Sequence, residues 1–274
     1  MLGLLALGSS LSWGTSDFLA GLASRRIHPV AVVGWTQSFA LLLLTALLLV
    51  RQQWPVPGAW LPWAVGAGLS GLFGLVCFYT ALSSGTMGVV APIAGLGVVV
   101  PVVLGVAGGE RPSVLAWVGM AVAVLGVTLA SGPELSSGLS PRPVLLAGGA
   151  AVGFGLTLYQ LDRGARESTL LTLWGMRMTS VLVLLVVALL VRSVGTVARR
   201  DLPLLCVVGA GDLGANALFA VASSRGQVSV ASVLGSLYPV VTAVLARIVL
   251  DERLRRVQQA GVALAVGGAV LIAV

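Results

Sequence analysis

Ala81-Leu82-Ser83-Ser84-Gly85 opens an apolar run that carries Pro92 and Pro101 and closes on Gly109-Glu110-Arg111. Ala222-Ser223-Ser224-Arg225-Gly226 opens another, which carries Pro239 and closes on Asp251-Glu252-Arg253. A further apolar run follows each, with Gly119 and Gly126 in the first copy and Gly261 and Gly268 in the second. Counterparts lie 141 residues apart up to the proline-bearing run and 142 after it. The same 141-residue offset pairs Gly34 with Gly175, Arg51 with Arg192, Pro62 with Pro203 and Phe78 with Phe219. Matches among Leu, Val, Ala and Gly carry little weight in a chain so rich in them, whereas Arg, Pro and Glu are scarce. The chain reads as one half written twice, with repeats at residues 1–131 and 142–274.

Composition decides the solvent. Hydrophobic residues make up 58% of the 274, charged residues 9%, and mean hydropathy is +1.05. A soluble domain carries about 25% charged residues, so too little polar surface is left here to cover a soluble core. Apolar runs of roughly 20 residues are long enough to cross a bilayer as helices. The short alternating segments of a transmembrane barrel are absent. The expected fold class is therefore all-α and polytopic, with ten spans at about 2–23, 29–50, 59–82, 87–107, 113–131, 143–162, 169–191, 202–223, 227–249 and 256–273. The first span is expected to remain in the protein as a helix, being too long for a signal-peptide core and lacking a cleavage site. Pro55-Val56-Pro57-Gly58 and the stretch from Ser131-Gly132-Pro133 to Pro141-Arg142-Pro143 mark loops. Trp54, Trp60 and Trp63 cluster at one of them, as expected of indoles in a headgroup layer.

Five spans per half is an odd number, so the second half must enter the membrane inverted relative to the first. Inverted repeats related by a pseudo-two-fold axis in the membrane plane are associated with secondary transporters, because two near-isoenergetic halves can exchange conformations around a central site. All sixteen basic residues are arginine, and the net charge is +7. Most lie in short loops, which makes anionic lipid a simpler partner than nucleic acid. Loops after odd-numbered spans hold nine arginines and those after even-numbered spans five, which favours both termini outside by the positive-inside rule. Cys77 and Cys206 occupy non-equivalent positions and are expected to be unpaired packing residues. His28 follows Arg25-Arg26 and reads as an interfacial residue.

Charged side chains within spans cost at least about 2.5–3.5 kcal/mol each on insertion scales, which makes them functional candidates. They are Asp17, Arg177, Asp212 and Arg247. Arg247 is expected to snorkel or to meet Asp251. Arg177 and Asp212 fall near mid-membrane on consecutive spans and can form an internal salt bridge; the other reading makes Arg177 a substrate ligand. Asn216, four residues after Asp212, extends that polar face. Ser9, Trp13, Ser16 and Asp17 form a polar stripe on the first span, and Tyr159 and Gln160 sit near the end of the sixth. Gly149, Gly153 and Gly155 permit close backbone approach there. Pro92, Pro101 and Pro239 each delete a helix hydrogen bond and are candidate hinges. The candidate substrate-binding set is Trp13, Asp17, Tyr159, Arg177, Asp212 and Asn216.

The repeated Ala-x-x-x-Gly segment, proline-bearing run, Gly-Glu-Arg at 109–111 and glycine-rich span after it, with Trp13-Gly14 in the first span, resemble the drug/metabolite transporter superfamily in its ten-helix EamA-like branch. That resemblance implies spans 1, 3, 4, 6, 8 and 9 around a central cavity, spans 5 and 10 as scaffold, and Glu110 and Glu252 as structural residues at loop ends. It also implies cytoplasmic termini, against the arginine count, and Asp17 departs from the neutral residue expected after the Trp-Gly pair. The expected function is a secondary active transporter, most simply an exporter of small organic metabolites such as amino acids or amphipathic compounds. The expected setting is a bacterial inner membrane, with the protein a monomer or homodimer. A carboxyl that loads a proton on one side and releases it on the other would couple transport to protons; Asp17 is its candidate, and Asp212 takes that role if its pairing with Arg177 fails. The bland alternative holds Asp17 by Ser12, Ser16 or a neighbouring helix for structure alone. A non-transporting scaffold or lipid-handling protein is the competing class. No metal-ligand cluster, nucleotide loop or nucleophile–base pair is visible, so neither cofactor nor enzymatic activity is expected.

Overall fold

The computed structural model describes residues 2–85, 87–135, 141–191, 196–250 and 256–273. They form α1 (Leu2–Ser24), α2 (Pro29–Val50), α3 (Trp60–Ser84), α4 (Met87–Gly95), α5 (Val99–Ala107), α6 (Val114–Leu135), α7 (Pro141–Val191), α8 (Leu202–Ser224), α9 (Val228–Gly235), α10 (Tyr238–Leu250) and α11 (Arg256–Ala273). Short 3₁₀ turns occupy Leu96–Val98 and Arg199–Asp201, and there is no strand among the described residues. Glu252 and Asp251, and with them the expected Arg247–Asp251 pair, lie outside the described residues; Arg247 itself is exposed near the end of α10.

Polarity runs inside out. Large apolar side chains such as Leu42, Leu69, Val103, Leu185 and Ile248 are exposed, while Gln37, Asp17, Arg177 and Asp212 are buried. Only a hydrocarbon solvent makes that arrangement favourable, because apolar surface costs nothing in lipid whereas polar groups need partners there. Five helical stretches, Pro29–Val50, Trp60–Ser84, Arg142–Leu190, Arg199–Ser224 and Val228–Leu250, are long and apolar enough to cross a membrane by length and composition. The serines, Trp13 and Asp17 keep α1 out of that set.

Two features of the expected spans matter. α7 is two helices that meet at a kink at Ser168, the first covering the expected sixth span and the second the expected seventh, with no loop between them. Ser168 alone leaves the helical region (φ −158°, ψ 108°), and its Oγ accepts from the Leu171 N–H at 3.4 Å, starting the second segment with a side-chain cap. The proline-bearing runs are each broken in two: α4 gives way to α5 through Leu96–Val98, and α9 to α10 through Ser236 and Leu237. Those breaks are equivalent at the 141-residue offset, which carries Gly95 to Ser236 and Leu96 to Leu237.

The most extensive helix contacts all cross between the halves, pairing α3 with α7, α6 with α11 and α1 with α8. Glycine makes the tightest of these possible. A Cβ at Gly153 on α7 would stand 2.8 Å from the Gly74 Cα on α3, which leaves no room for any side chain. The halves are also joined by Glu110. The chain turns after α5 through Gly109 (φ 99°), a conformation that favours glycine. The Glu110 carboxylate beyond it accepts from the backbone N–H groups of Val228 (2.7 Å) and Ser229 (3.1 Å), satisfying orphan donors at the start of α9.

Candidate functional site

A partly open cavity lies between the two halves. The first half contributes Trp13 and Asp17 from α1 and Ala67, Gly71 and Leu75 from α3. The second contributes residues of both α7 segments, α8 and the α9–α10 break, including Phe154, Leu158, Arg177, Asp212, Asn216 and Tyr238. Five of the six expected binding residues, Trp13, Asp17, Arg177, Asp212 and Asn216, therefore share one wall system. Tyr159 does not. Its ring packs edge-on against Trp63 (centroids 6.3 Å apart), away from the lining.

Among the described lining residues none belongs to α4 or α5, from which the fourth span was expected to contribute. A Cβ at Gly97 would collide with the Ala151 backbone, so the α4–α5 break is packed behind α7. The second segment of α7 takes its place, bringing Met176, Arg177 and Ser180 to the cavity.

Arg177 and Asp212 form a buried ion pair, with Nη2 2.8 Å from Oδ2. The Arg177 Nη1 donates to Gln37 Oε1 at 2.7 Å, which ties α2 of the first half to α7 of the second. Asp212 Oδ1 accepts from Trp13 Nε1 at 3.2 Å and from Asn216 Nδ2 at 3.0 Å. Each carboxylate oxygen of Asp212 thus has a donor, as a buried charge requires. Asp17 is held differently. Its hydrogen bond comes from Tyr79 Oη on α3, at 3.4 Å, whereas Ser12, one of its expected partners, donates instead to the Gly211 carbonyl. The hydroxyl of Tyr238 is buried without a hydrogen-bond partner.

Gln37, Tyr79 and Tyr238 were not singled out by sequence reasoning. Gln37 had a signal, as an amide in the middle of an apolar run. The two tyrosines had only their rarity, being two of three in the chain. Pro101 is buried near the start of α5, and Pro239 is the second residue of α10. The side chain of Pro92 lies outside the described residues. Glu110, expected to be structural, contacts the α9 backbone and not the cavity. Cys77 and Cys206 are unpaired, and no metal-ligating cluster occurs among the described residues.

Two similar helical halves enclosing a partly charged cavity within an apolar exterior define a polytopic membrane protein with an internal site for a small molecule. The chain belongs to the EamA-like transporter family, which matches residues 1–132 and again 141–274, and it is accordingly a membrane transporter of small molecules. One solved crystal structure shares the fold at a TM-score of 0.78 and 20% identity, covering 98% of this chain and 95% of that one. No curated protein matches the chain.

Proposed function

We propose that the protein is a secondary active exporter of small organic metabolites, working by alternating access in a bacterial inner membrane. The observation that carries this reading is the meeting of the two helix breaks. A Cβ at Gly95 would lie 2.9 Å from the Pro239 ring and 3.7 Å from the Ser236 carbonyl, so the equivalent positions Gly95 and Ser236 pack against each other. In a ten-span arrangement, with α7 counted as two spans and α4–α5 and α9–α10 as one each, that contact lies where an inverted-repeat axis would pass. Rocking one broken helix against the other there opens the cavity to alternate sides with little change elsewhere. Pro101 and Pro239 flank the breaks and serve as the hinges. The repeats are taken as residues 1–131 and 142–274.

Within the cavity, Trp13, Asp17, Arg177, Asp212 and Asn216 form the binding set, and Tyr159 drops out of it. Arg177 and Asp212 neutralise each other, which leaves Asp17 as the carboxyl that loads a proton when substrate leaves. Proteoliposomes carrying a pH-sensitive dye inside test the coupling. Substrate-driven proton flux is expected in the wild type and absent in Asp17→Asn, which keeps the side chain's shape but cannot titrate. Unchanged flux in that variant overturns the proton-carrier role. Failure of every solute to exchange across the membrane overturns the transporter reading itself.

A further inference from the structure

Building on that reading, we infer that the cargo is an amphipathic monocation, a protonated amine whose ammonium sits at Asp17 and whose apolar body lies on Leu75, Phe154 and Leu158. Three observations converge on it.

The first is charge. The cavity is lined by two carboxylates and one guanidinium. Asp212 and Arg177 cancel at 2.8 Å, so once Asp17 has given up its proton a net negative charge is left in a low-dielectric space. A monocation restores neutrality; a carboxylate deepens the imbalance, and a neutral or zwitterionic solute leaves it.

The second is hydrogen-bond supply. Asp212 receives three donors within 3.2 Å. Among the described residues Asp17 has one, Tyr79 at 3.4 Å, far longer than the roughly 2.5–2.7 Å of a charge-assisted O–H···O⁻ bond. An ionised carboxylate offers about four acceptor sites, so Asp17 has room for an ammonium's donors. Trp13, one helical turn earlier on the same face of α1, adds an indole beside that position. An anion at Arg177 would compete with Asp212, because the guanidinium is already bonded to Gln37 and Asp212 and its unpaired Nε is buried out of solvent contact.

The third is the way symmetry is broken. Four pairs of lining residues are equivalent at the 141-residue offset: Trp13 with Phe154, Asp17 with Leu158, Gly71 with Asp212, and Leu75 with Asn216. In each pair the polar member belongs to α1 or α8 and the apolar or side-chain-free member to α3 or α7. At these paired positions the cavity thus has a polar side on α1 and α8 and an apolar side on α3 and the first segment of α7, which fits a molecule with a polar head and an apolar body; Arg177 and Ser180 enter from the second segment of α7.

A matched phenyl series tests this in purified full-length protein by calorimetry: 2-phenylethylamine as its cation, 2-phenylethanol, 3-phenylpropanoate and phenylalanine. The amine is expected to bind about tenfold tighter than each of the others. Asp17→Asn is expected to erase that preference while Asp17→Glu retains it, and Leu158→Ser is expected to weaken the amine without changing the ranking. Equal or tighter binding of the alcohol, the carboxylate or the zwitterion overturns the inference, as does absence of binding by the amine. Because the ranking is read on the wild type, it stands even where a variant fails to fold. Counterflow in proteoliposomes with trimethyl(2-phenylethyl)ammonium, 3-phenylpropanoate and phenylalanine separates the two levels. Movement of an anion or zwitterion but not the cation refutes this cargo class and leaves the transporter reading standing, whereas a cation that binds while none of the three moves refutes the transporter reading.

Discussion

Removing either member of the Arg177–Asp212 pair should cost far more than removing both. The pair is buried, with side-chain exposures of 4% and 13% and a 2.8 Å contact. A lone charge left in such a place costs on the order of 3–5 kcal/mol. The two single variants are not equivalent, because what remains differs. In Asp212→Ala the guanidinium keeps only the Gln37 carbonyl, so the loss should fall at the upper end of that range. In Arg177→Ala the carboxylate keeps the donors of Trp13 and Asn216, and the loss should fall at the lower end. The double variant Arg177→Ala/Asp212→Ala leaves no charge behind and should cost less than either single variant, which sets the coupling between the sites at about 5 kcal/mol or more, within the range for close charge pairs. Unfolding by SDS in mixed micelles, followed by tryptophan fluorescence, reads these differences directly. Single variants within about 0.5 kcal/mol of the wild type, or losses that simply add, would refute the view that the pair neutralises itself. It would also reopen Arg177 as a ligand for an anionic solute.

Three further outcomes follow from the packing. Gly153→Ala should destabilise the same protein by about 1–3 kcal/mol, because its Cβ has 2.8 Å to the α3 backbone; Gly148→Ala, with nothing within 4 Å, should be neutral or stabilising by about 0.5–1 kcal/mol. Comparing their melting temperatures in detergent decides it, and equal effects would mean that α3 and α7 are not in close contact. Glu110→Ala should cost about 1–2 kcal/mol and speed hydrogen exchange at the Val228 and Ser229 amides, which lose their acceptor; unchanged exchange at those amides would exclude the cap. Single cysteines placed near each terminus should react with an impermeant reagent from outside intact cells if the arginine asymmetry governs insertion; protection of both would put the termini inside and leave the fold unaffected.

What could be read from the chain depended on the cost of each feature. The repeat was legible because Arg, Pro and Glu are scarce in spans and recur at a constant offset. Asp17, Arg177 and Asp212 were legible because buried charge is too expensive to be incidental. Their partners were less so. Gln37, Tyr79 and Tyr238 are neutral, and which neutral groups meet a charge depends on how α2, α3 and α10 pack, which no local pattern encodes. The tight junction inside α7 was hidden by the opposite problem. Arg163, Arg166 and Glu167 look like a loop by polarity, yet Arg and Glu are good helix formers, and the lack of proline there lets the helix run on to Ser168. The helix breaks were placed at prolines, but Pro101 and Pro239 each fall within the first three residues of a new helix, where a missing N–H costs little; the breaks precede them.

The duplication itself separates scaffold from site. Phe78 and Phe219 agree across the offset, and both are fully buried in the packed core. Gly175 is buried as well, where a Cβ would come within 2.7 Å of the Trp60 ring, whereas its counterpart Gly34 is half-buried. Around the cavity the agreement stops: Asp17 faces Leu158 across the offset, and Asp212 faces Gly71. Packing between halves constrains both copies alike, because each copy must offer the other the same surface. A bound molecule with unlike ends imposes no such equality and rewards walls that differ. On the proposed reading, the positions where the repeat fails inside a cavity built by the repeat are therefore the ones that choose what is carried.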